Sequence, residues 1–268
     1  MTPDNIPEVL RHVRSLTLPA SPPPSQFLRH IEVIDPLAEA YAGLYYARHG
    51  FPVQAEALER FLEFDLALPY GWEEIVEPEG VRILAQHDPR SGAVHANALY
   101  ADPFAESPFL LASALLHELG HIALRHGELY AEDTLPFLPG LSTPSAFLHR
   151  TTWLPWGISA DVLKRAVKVA SLDRRVRDFL KPQRFEPDWV YQQAQRFAAS
   201  FMIPNGRLQE HLAEGWDFTS WRPVYELARR FATSSSMMRY RLEQLGYISV
   251  QGNVISPGPH YGKQIPLL

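Results

Sequence analysis

The sequence predicts an α+β fold: a small twisted sheet beside one central helix, followed by a small helical C-terminal module. Three observations carry that prediction. A stretch of strand character at 81–100 leads into an apolar helical stretch at 108–126. Helical periodicity returns at 159–171 and again at 188–202, where Pro204 stops it. Past residue 216, two short helical patterns meet at a tight turn, the second N-capped by Ser234, and precede a small wing-like hairpin of residues 247–250 and 254–255 around Gly252-Asn253.

Taken in order, residues 1–30 read as an N-terminal arm, extended through Pro22-Pro23-Pro24 and lacking the apolar run of a secretory signal. Asp35-Pro36 reads as an N-cap and first-turn proline for a helix over 37–49, with Gly50 past its end. A second helix is expected over 53–68, before Pro69-Tyr70-Gly71. Strands follow at 81–84 and 93–100, joined by the turn 88–92. Ser107-Pro108 repeats the cap-plus-proline signal and opens a helix to about His126-Gly127. The chain is then irregular through Pro136, Pro139 and Pro144. These signals divide it into the arm (1–30), a main domain (31–212, with an insertion at about 129–187) and the C-terminal module (213–268). Residues 216–268 carry six Lys and Arg against three Asp and Glu, unlike the acidic remainder.

Composition narrows the function. The 268 residues are 46% hydrophobic and 21% charged, enough for a buried core. A net charge of −5 gives no global attraction to nucleic acid or anionic membrane. With no cysteine, disulfides, a catalytic thiol and thiolate zinc sites are excluded, and any metal must be held by His, Asp, Glu, Tyr or water. No apolar stretch reaches the length of a membrane span. A cytoplasmic protein without a membrane partner is the expectation.

The chemistry concentrates in His117-Glu118-Leu119-Gly120-His121. Residues four apart on a helix project from one face, so both imidazoles reach one tetrahedral cation at about 2.0–2.1 Å. Glu118, about 100° around the helix, is placed to accept a proton from an attacking water and return it to a leaving amine. Such a pattern is a rare coincidence in a chain with 11 histidines. His126 lies five residues beyond His121 and is read as a helix C-terminal or rim histidine. Glu128, Glu132 and Asp133 are read as solvated loop acids. A third protein ligand is still required.

Three blocks in order resemble the ImmA/IrrE family of bacterial zinc metallopeptidases. The first is the metal helix. The second is Ala194-Gln195-Arg196-Phe197-Ala198-Ala199-Ser200-Phe201-Met202-Ile203-Pro204. The third, Leu227-Ala228-Arg229-Arg230-Phe231-Ala232-Thr233-Ser234 with Met237-Met238-Arg239-Tyr240-Arg241-Leu242-Glu243-Gln244-Leu245-Gly246, is similar to the helix-turn-helix that follows the peptidase core there. The resemblance implies a thermolysin-like minimal zincin core, Zn2+ as cofactor, and His117 and His121 as ligands with Glu118 as general base. It also implies an antirepressor activity: cleavage of an XRE-type transcriptional repressor in a stress or mobile-element response. One position departs. The family's third-ligand Glu falls on Tyr191, which extends the apolar stripe of 194–202 backward by three. Tyr191 is thus either a phenolate ligand or a core aromatic, and Glu186, Asp188, Gln193, His149 and Asp161 are the substitutes. The alternative is a non-catalytic regulator that keeps the fold, binds a repressor or DNA, and carries a degenerate metal site.

In thermolysin-like enzymes an edge strand beside the metal helix receives substrate backbone. The strand 93–100 is expected to be that edge, with His95, Asn97 and Tyr100 available to the cleft. Tyr191, His149 and Arg150 are the candidate oxyanion stabilisers. In the module, Ser235, Ser236 and Arg239, with Tyr240, are offered to a major groove, and Arg229, Arg230 and Arg241 to phosphates. The competing reading has the module packing on the main domain or gripping a protein.

Overall fold

The computed structural model describes residues 21–77, 81–89, 91–131, 148–153 and 188–260. The helix expected at 159–171, together with Glu132, Asp133, Asp161 and Glu186, lies outside these residues. A π-helical turn at His30–Ile34 runs straight into α1 (Asp35–His49). Next come α2 (Ala55–Arg60), a second π-helical turn (Phe61–Asp65), β1 (Tyr70–Glu73), β2 (Val81–His87) and β3 (Val94–Asn97). Then follow α3 (Ala101–Glu106), α4 (Pro108–Ala123), α5 (Glu128–Ala131) and β4 (Leu148–Trp153). The chain continues with α6 (Asp188–Met202), α7 (Asn205–Leu212), α8 (Arg222–Arg230), α9 (Ser235–Gln244), β5 (Ile248–Gln251) and β6 (Val254–Pro257). The architecture is α+β. No described helix is long and apolar enough to cross a membrane.

The main sheet has the order β1-β3-β2-β4. β1 runs parallel to β3, pairing Tyr70 with Val94, while β2 pairs antiparallel with both β3 and β4. This corrects one expectation: β3 is central, hydrogen-bonded on both sides, and offers no open edge. Its strand is also shorter than predicted. The Asn97 side chain accepts from Leu99 N at 3.1 Å and turns residues 98–100 into a 3-10 turn. Among the described residues the edges are β1 and β4, and β4 comes from the segment predicted as an insertion.

Apolar residues surround α4, so a helix of this sequence can only be buried. Eleven of its consecutive residues from Leu111 to His121 are buried. It packs against β2, β3 and β4 on one side and along α6 on another. Gly120 sets the closest approach of α4 and α6. A Cβ there would stand 3.1 Å from Ala194 Cα and O and 3.2 Å from Phe197 Cβ.

Asp35 does not cap α1. The π-helical turn before it satisfies the helix start, and the carboxylate is buried instead. It accepts from Arg196 Nε and Nη2 (2.7 and 2.6 Å), Ser200 Oγ (2.7 Å) and Arg241 Nη1 (2.8 Å). Arg241 Nη2 also reaches Glu39 Oε1 at 3.3 Å, and Arg241 Nε donates to Ile203 O at 3.1 Å. One ionic cluster therefore joins α1, α6 and α9. A continuous apolar core runs across it, from Leu37 and Tyr45 through Phe197 and Phe201 to Phe231 and Leu242. Each such fully buried side chain contributes roughly 1.5–3 kcal/mol. In the C-terminal module, Ser234 caps α9 as predicted, accepting from Met237 N at 3.1 Å, and β5 and β6 form the expected hairpin.

Candidate metal centre

On α4 the four-residue spacing stacks the His117 and His121 rings edge to face, 4.8 Å apart at 80°. His117, Glu118 and His121 each offer a ligand atom, and these atoms lie within 4.8 Å of one another. All three residues are 0% exposed. Among the described residues no other His, Asp or Glu cluster has this form. Around a tetrahedral zinc two donors stand roughly 3.3 Å apart, so ligand atoms within 4.8 Å of one another are close to the spacing that one ion requires. The donor set fits a borderline-soft divalent ion. An acid and two imidazoles gathered in an apolar helix pair are also stabilised by a cation between them.

Helix α6 supplies the opposite wall. The tight crossing at Gly120 and Ala194 brings Tyr191 one turn further, its ring 5.0 Å from that of His117 and inclined by 51°. Ala194, Phe197, Ala198, Phe201 and Met202 are buried as the apolar stripe predicts, and Tyr191, half-buried, stands against the His117 ring. Gln193 does not. It is buried behind the site, where its Oε1 lies 3.0 Å from His126 Nε2 and its Nε2 donates to Ser25 O at 2.8 Å. Asp188 begins α6, but its side chain, like those of His149 and Arg150 on β4, lies outside the described residues.

His126 is not a rim residue. It is 0% exposed, and its Nδ1 lies 3.0 Å from His121 Nδ1. The reason is how α4 ends. Arg125 takes a left-handed conformation (φ 55°), Arg125 N bonds Ile122 O, and His126 N bonds His121 O at 2.9 Å. This is a Schellman closure with a non-glycine residue at its left-handed position. It folds His126 back against His121, and Trp189 covers the ring edge-on at 5.9 Å. Burial pushes the His126 imidazole down to about 4, against the opposing hydrogen bond with Gln193. The signal in the sequence was the helix end itself: His126 sits at the position where a Schellman turn returns side chains to the last helical turn.

The other cleft candidates have structural roles. Asn97 is buried and donates to Ile83 O at 2.7 Å, Tyr100 donates to Glu77 Oε1 at 2.7 Å, and His95 faces Glu73 at 3.6 Å. An open groove of about 620 Å³, lined by Gln54, Arg60, Trp72, Phe104 and their neighbours, shares no residue with the metal cluster.

In the module, Ser235 and Ser236 open α9, half-buried and exposed, and Arg239 is exposed with Glu243 at 3.3 Å. Arg241 is contradicted as a phosphate contact. It is 0% exposed, because its guanidinium is the counter-charge to Asp35 in the core. Arg230 is engaged with Glu214 at 2.7 Å and lies 4.9 Å over the Trp216 ring, and Arg222 pairs with Glu226 at 2.7 Å. The positive charge counted in the sequence is therefore largely compensated in place.

No model of a known protein family matches the chain, and no curated protein does. One solved structure, described as a Mycobacterium tuberculosis transcriptional regulator, is similar over 93% of this chain at 11% identity and a TM-score of 0.43. The match spans 59% of that chain's length.

Proposed function

We propose that this chain is a zinc-dependent endopeptidase of the ImmA/IrrE type, with a thermolysin-like zincin core, that cleaves an XRE-type transcriptional repressor. The observation that carries the peptidase reading is the buried His117-Glu118-His121 group, closed by Tyr191 from α6. The repressor substrate rests on the three-block resemblance alone. His117 and His121 would hold the ion, and Tyr191 would complete the protein ligands or direct its hydroxyl to the reacting carbonyl. A bound zinc would supply Lewis-acid polarisation and a water acidic enough to lose its proton near neutral pH. Glu118 would take a proton from the water as its oxygen bonds to the peptide carbonyl carbon, and deliver it to the amine nitrogen as the C–N bond breaks. Full burial of Glu118 keeps bulk water from the carboxylate, so the proton stays between donor and acceptor. Because the three groups are fully buried, a substrate backbone reaches them only after whatever overlies them moves aside.

A second reading is favoured by one observation: among the described residues no additional Asp, Glu or His joins the group, and the position expected for an acid is Tyr191. On that reading the protein is a regulator that retains the fold without turnover. Purified wild-type protein and Glu118→Gln are analysed for zinc, then incubated with a denatured peptide library and with an XRE-type repressor, new N-termini being read by mass spectrometry. The peptidase reading expects about one zinc per chain in both proteins and cleavage by wild type only. Zinc without cleavage by wild type supports the regulator, and equal cleavage by Glu118→Gln refutes the assigned base.

A further inference from the structure

We infer that a hydrogen-bond relay running from the Ser25 carbonyl through Gln193 and His126 fixes the tautomer of His121, making His126 and Gln193 positioning residues for the metal centre. The inference rests on the metal reading above for its use, but its physical content is independent of any ion.

The direction of each bond follows from the end of the chain of contacts. A backbone carbonyl only accepts, so the group facing Ser25 O at 2.8 Å is the Gln193 amide nitrogen. That orients Gln193 Oε1 towards His126, 3.0 Å from its Nε2. An amide oxygen only accepts, so His126 Nε2 carries the hydrogen. A neutral imidazole has one donor and one acceptor, which leaves His126 Nδ1 as the acceptor, 3.0 Å from His121 Nδ1. His121 Nδ1 therefore donates, and its Nε2 is left with a lone pair to offer towards His117 and Glu118. The carbonyl and the amide cannot change role, the first being main chain, and the neutral His126 ring then passes the direction on to His121.

The fold holds the relay in place. The backbone bond from His126 N to His121 O ties the same two residues together a second time, and Trp189 closes the outer side of the His126 ring. Gln193 is buried on α6, two residues past Tyr191, so one helix carries both the ring against His117 and the amide that acts on His121. Ligating histidines generally donate their second nitrogen to such a partner, and loss of that partner weakens metal binding about 10–100-fold. Here the relay also makes the segment around Ser25, far away in sequence, part of the support of the centre.

The test uses the full chain with 15N-labelled histidine. Imidazole nitrogen shifts in the metal-free protein are expected to show His121 protonated at Nδ1 and bare at Nε2, and His126 protonated at Nε2. Zinc affinity is measured by chelator competition for wild type, His126→Phe, Gln193→Leu and His126→Gln, with melting temperatures confirming that each is folded. Loosening of about 10–100-fold is expected for His126→Phe and Gln193→Leu. Partial recovery is expected in His126→Gln, whose amide oxygen again accepts from His121. A wild-type His121 protonated at Nε2 overturns the relay, as does unchanged affinity in both folded disrupting variants. If wild type shows the expected tautomers and binds no zinc, the relay stands and the metal reading falls.

Discussion

Replacing Asp35 with Asn is expected to be among the most damaging conservative substitutions in the chain. The side chain keeps its size but loses its charge, while the guanidiniums of Arg196 and Arg241 stay buried at 2.6–2.8 Å from where the carboxylate was. Glu39, 3.3 Å from Arg241, is the acid that remains beside them. Breaking one buried ion pair costs about 3–5 kcal/mol because a charge is left uncompensated, and here two cations lose the same partner. We therefore expect the upper part of that range, about 4–5 kcal/mol. That is a roughly thousandfold rise in the unfolding constant. At about 2–4 °C per kcal/mol for a domain of this size, melting should fall by roughly 10–15 °C. Arg241→Met should be milder, because Asp35 keeps both contacts from Arg196 and the one from Ser200. Urea unfolding at pH 7, followed by circular dichroism, measures both. Burial raises the Asp35 carboxyl, but its hydrogen bonds and the charges of both arginines prevail and hold it below the usual range. Its contribution is thus complete above the unfolded value near 4 and is lost as pH falls through the lower folded value. If Asp35→Asn costs under 1 kcal/mol, or less than Arg241→Met, the account of this cluster is wrong.

Other expectations follow from single contacts. Gly120→Ala gains up to about 1 kcal/mol of helix propensity but drives a methyl into Ala194 and Phe197. A net destabilisation of about 1 kcal/mol is expected, with weaker zinc binding as Tyr191 is displaced from His117; thermal melting and chelator competition check it, and a stabilised variant refutes the close approach. Arg125→Gly relieves the left-handed backbone at the end of α4 and should stabilise by about 1 kcal/mol in urea unfolding, since the exposed pair with Glu128 that it removes is worth little. Burial pushes the His87 imidazole down to about 4, with nearby Asp88 opposing and His126 adding to the effect, and among the described residues its Nδ1 has no hydrogen-bond partner. The unfolded chain protonates this group near 6.5 and the folded one near 4, so the metal-free protein should lose up to about 3 kcal/mol as pH falls through that window. His87→Leu should flatten that part of the stability–pH curve; an unchanged slope rejects the assignment.

What the sequence revealed was local. The periodicity of 188–202, the proline at the start of α4, the Ser234 cap and the spacing of His117 and His121 each depend on residues within one or two turns, and each is found where expected. What it concealed was settled by distant partners. Asp35 resembles a helix cap until Arg196, Ser200 and Arg241 are brought to it. Arg241 looks like a surface cation for the same reason. Strand β1, which begins just after Pro69 and holds Gly71, is not legible in the sequence, because its pairing with β3 is what makes it a strand. Residues 93–100 announced a strand correctly, but only pairing on both sides shows that it is central. His126 was misplaced because spacing suggests a solvent-facing helix end, whereas the Schellman closure turns it inward.

The pairing of β2 with β4 has a consequence for how the chain reaches this state. Val81 is matched with Trp153 and His87 with Leu148, so the entire stretch bearing the HExxH residues lies inside a loop whose two ends are stitched together. Closing so long a loop is entropically unfavourable until the helix it contains has found its apolar bed. Helix α4 is thus expected to serve as the template on which β4 is laid. During synthesis, β4 leaves the ribosome after α4, so the pairing of β2 with β4 is expected to form after α4 is available. Insertions between α5 and β4, which lengthen this loop without interrupting α4, are then expected to slow maturation more than they destabilise the finished protein.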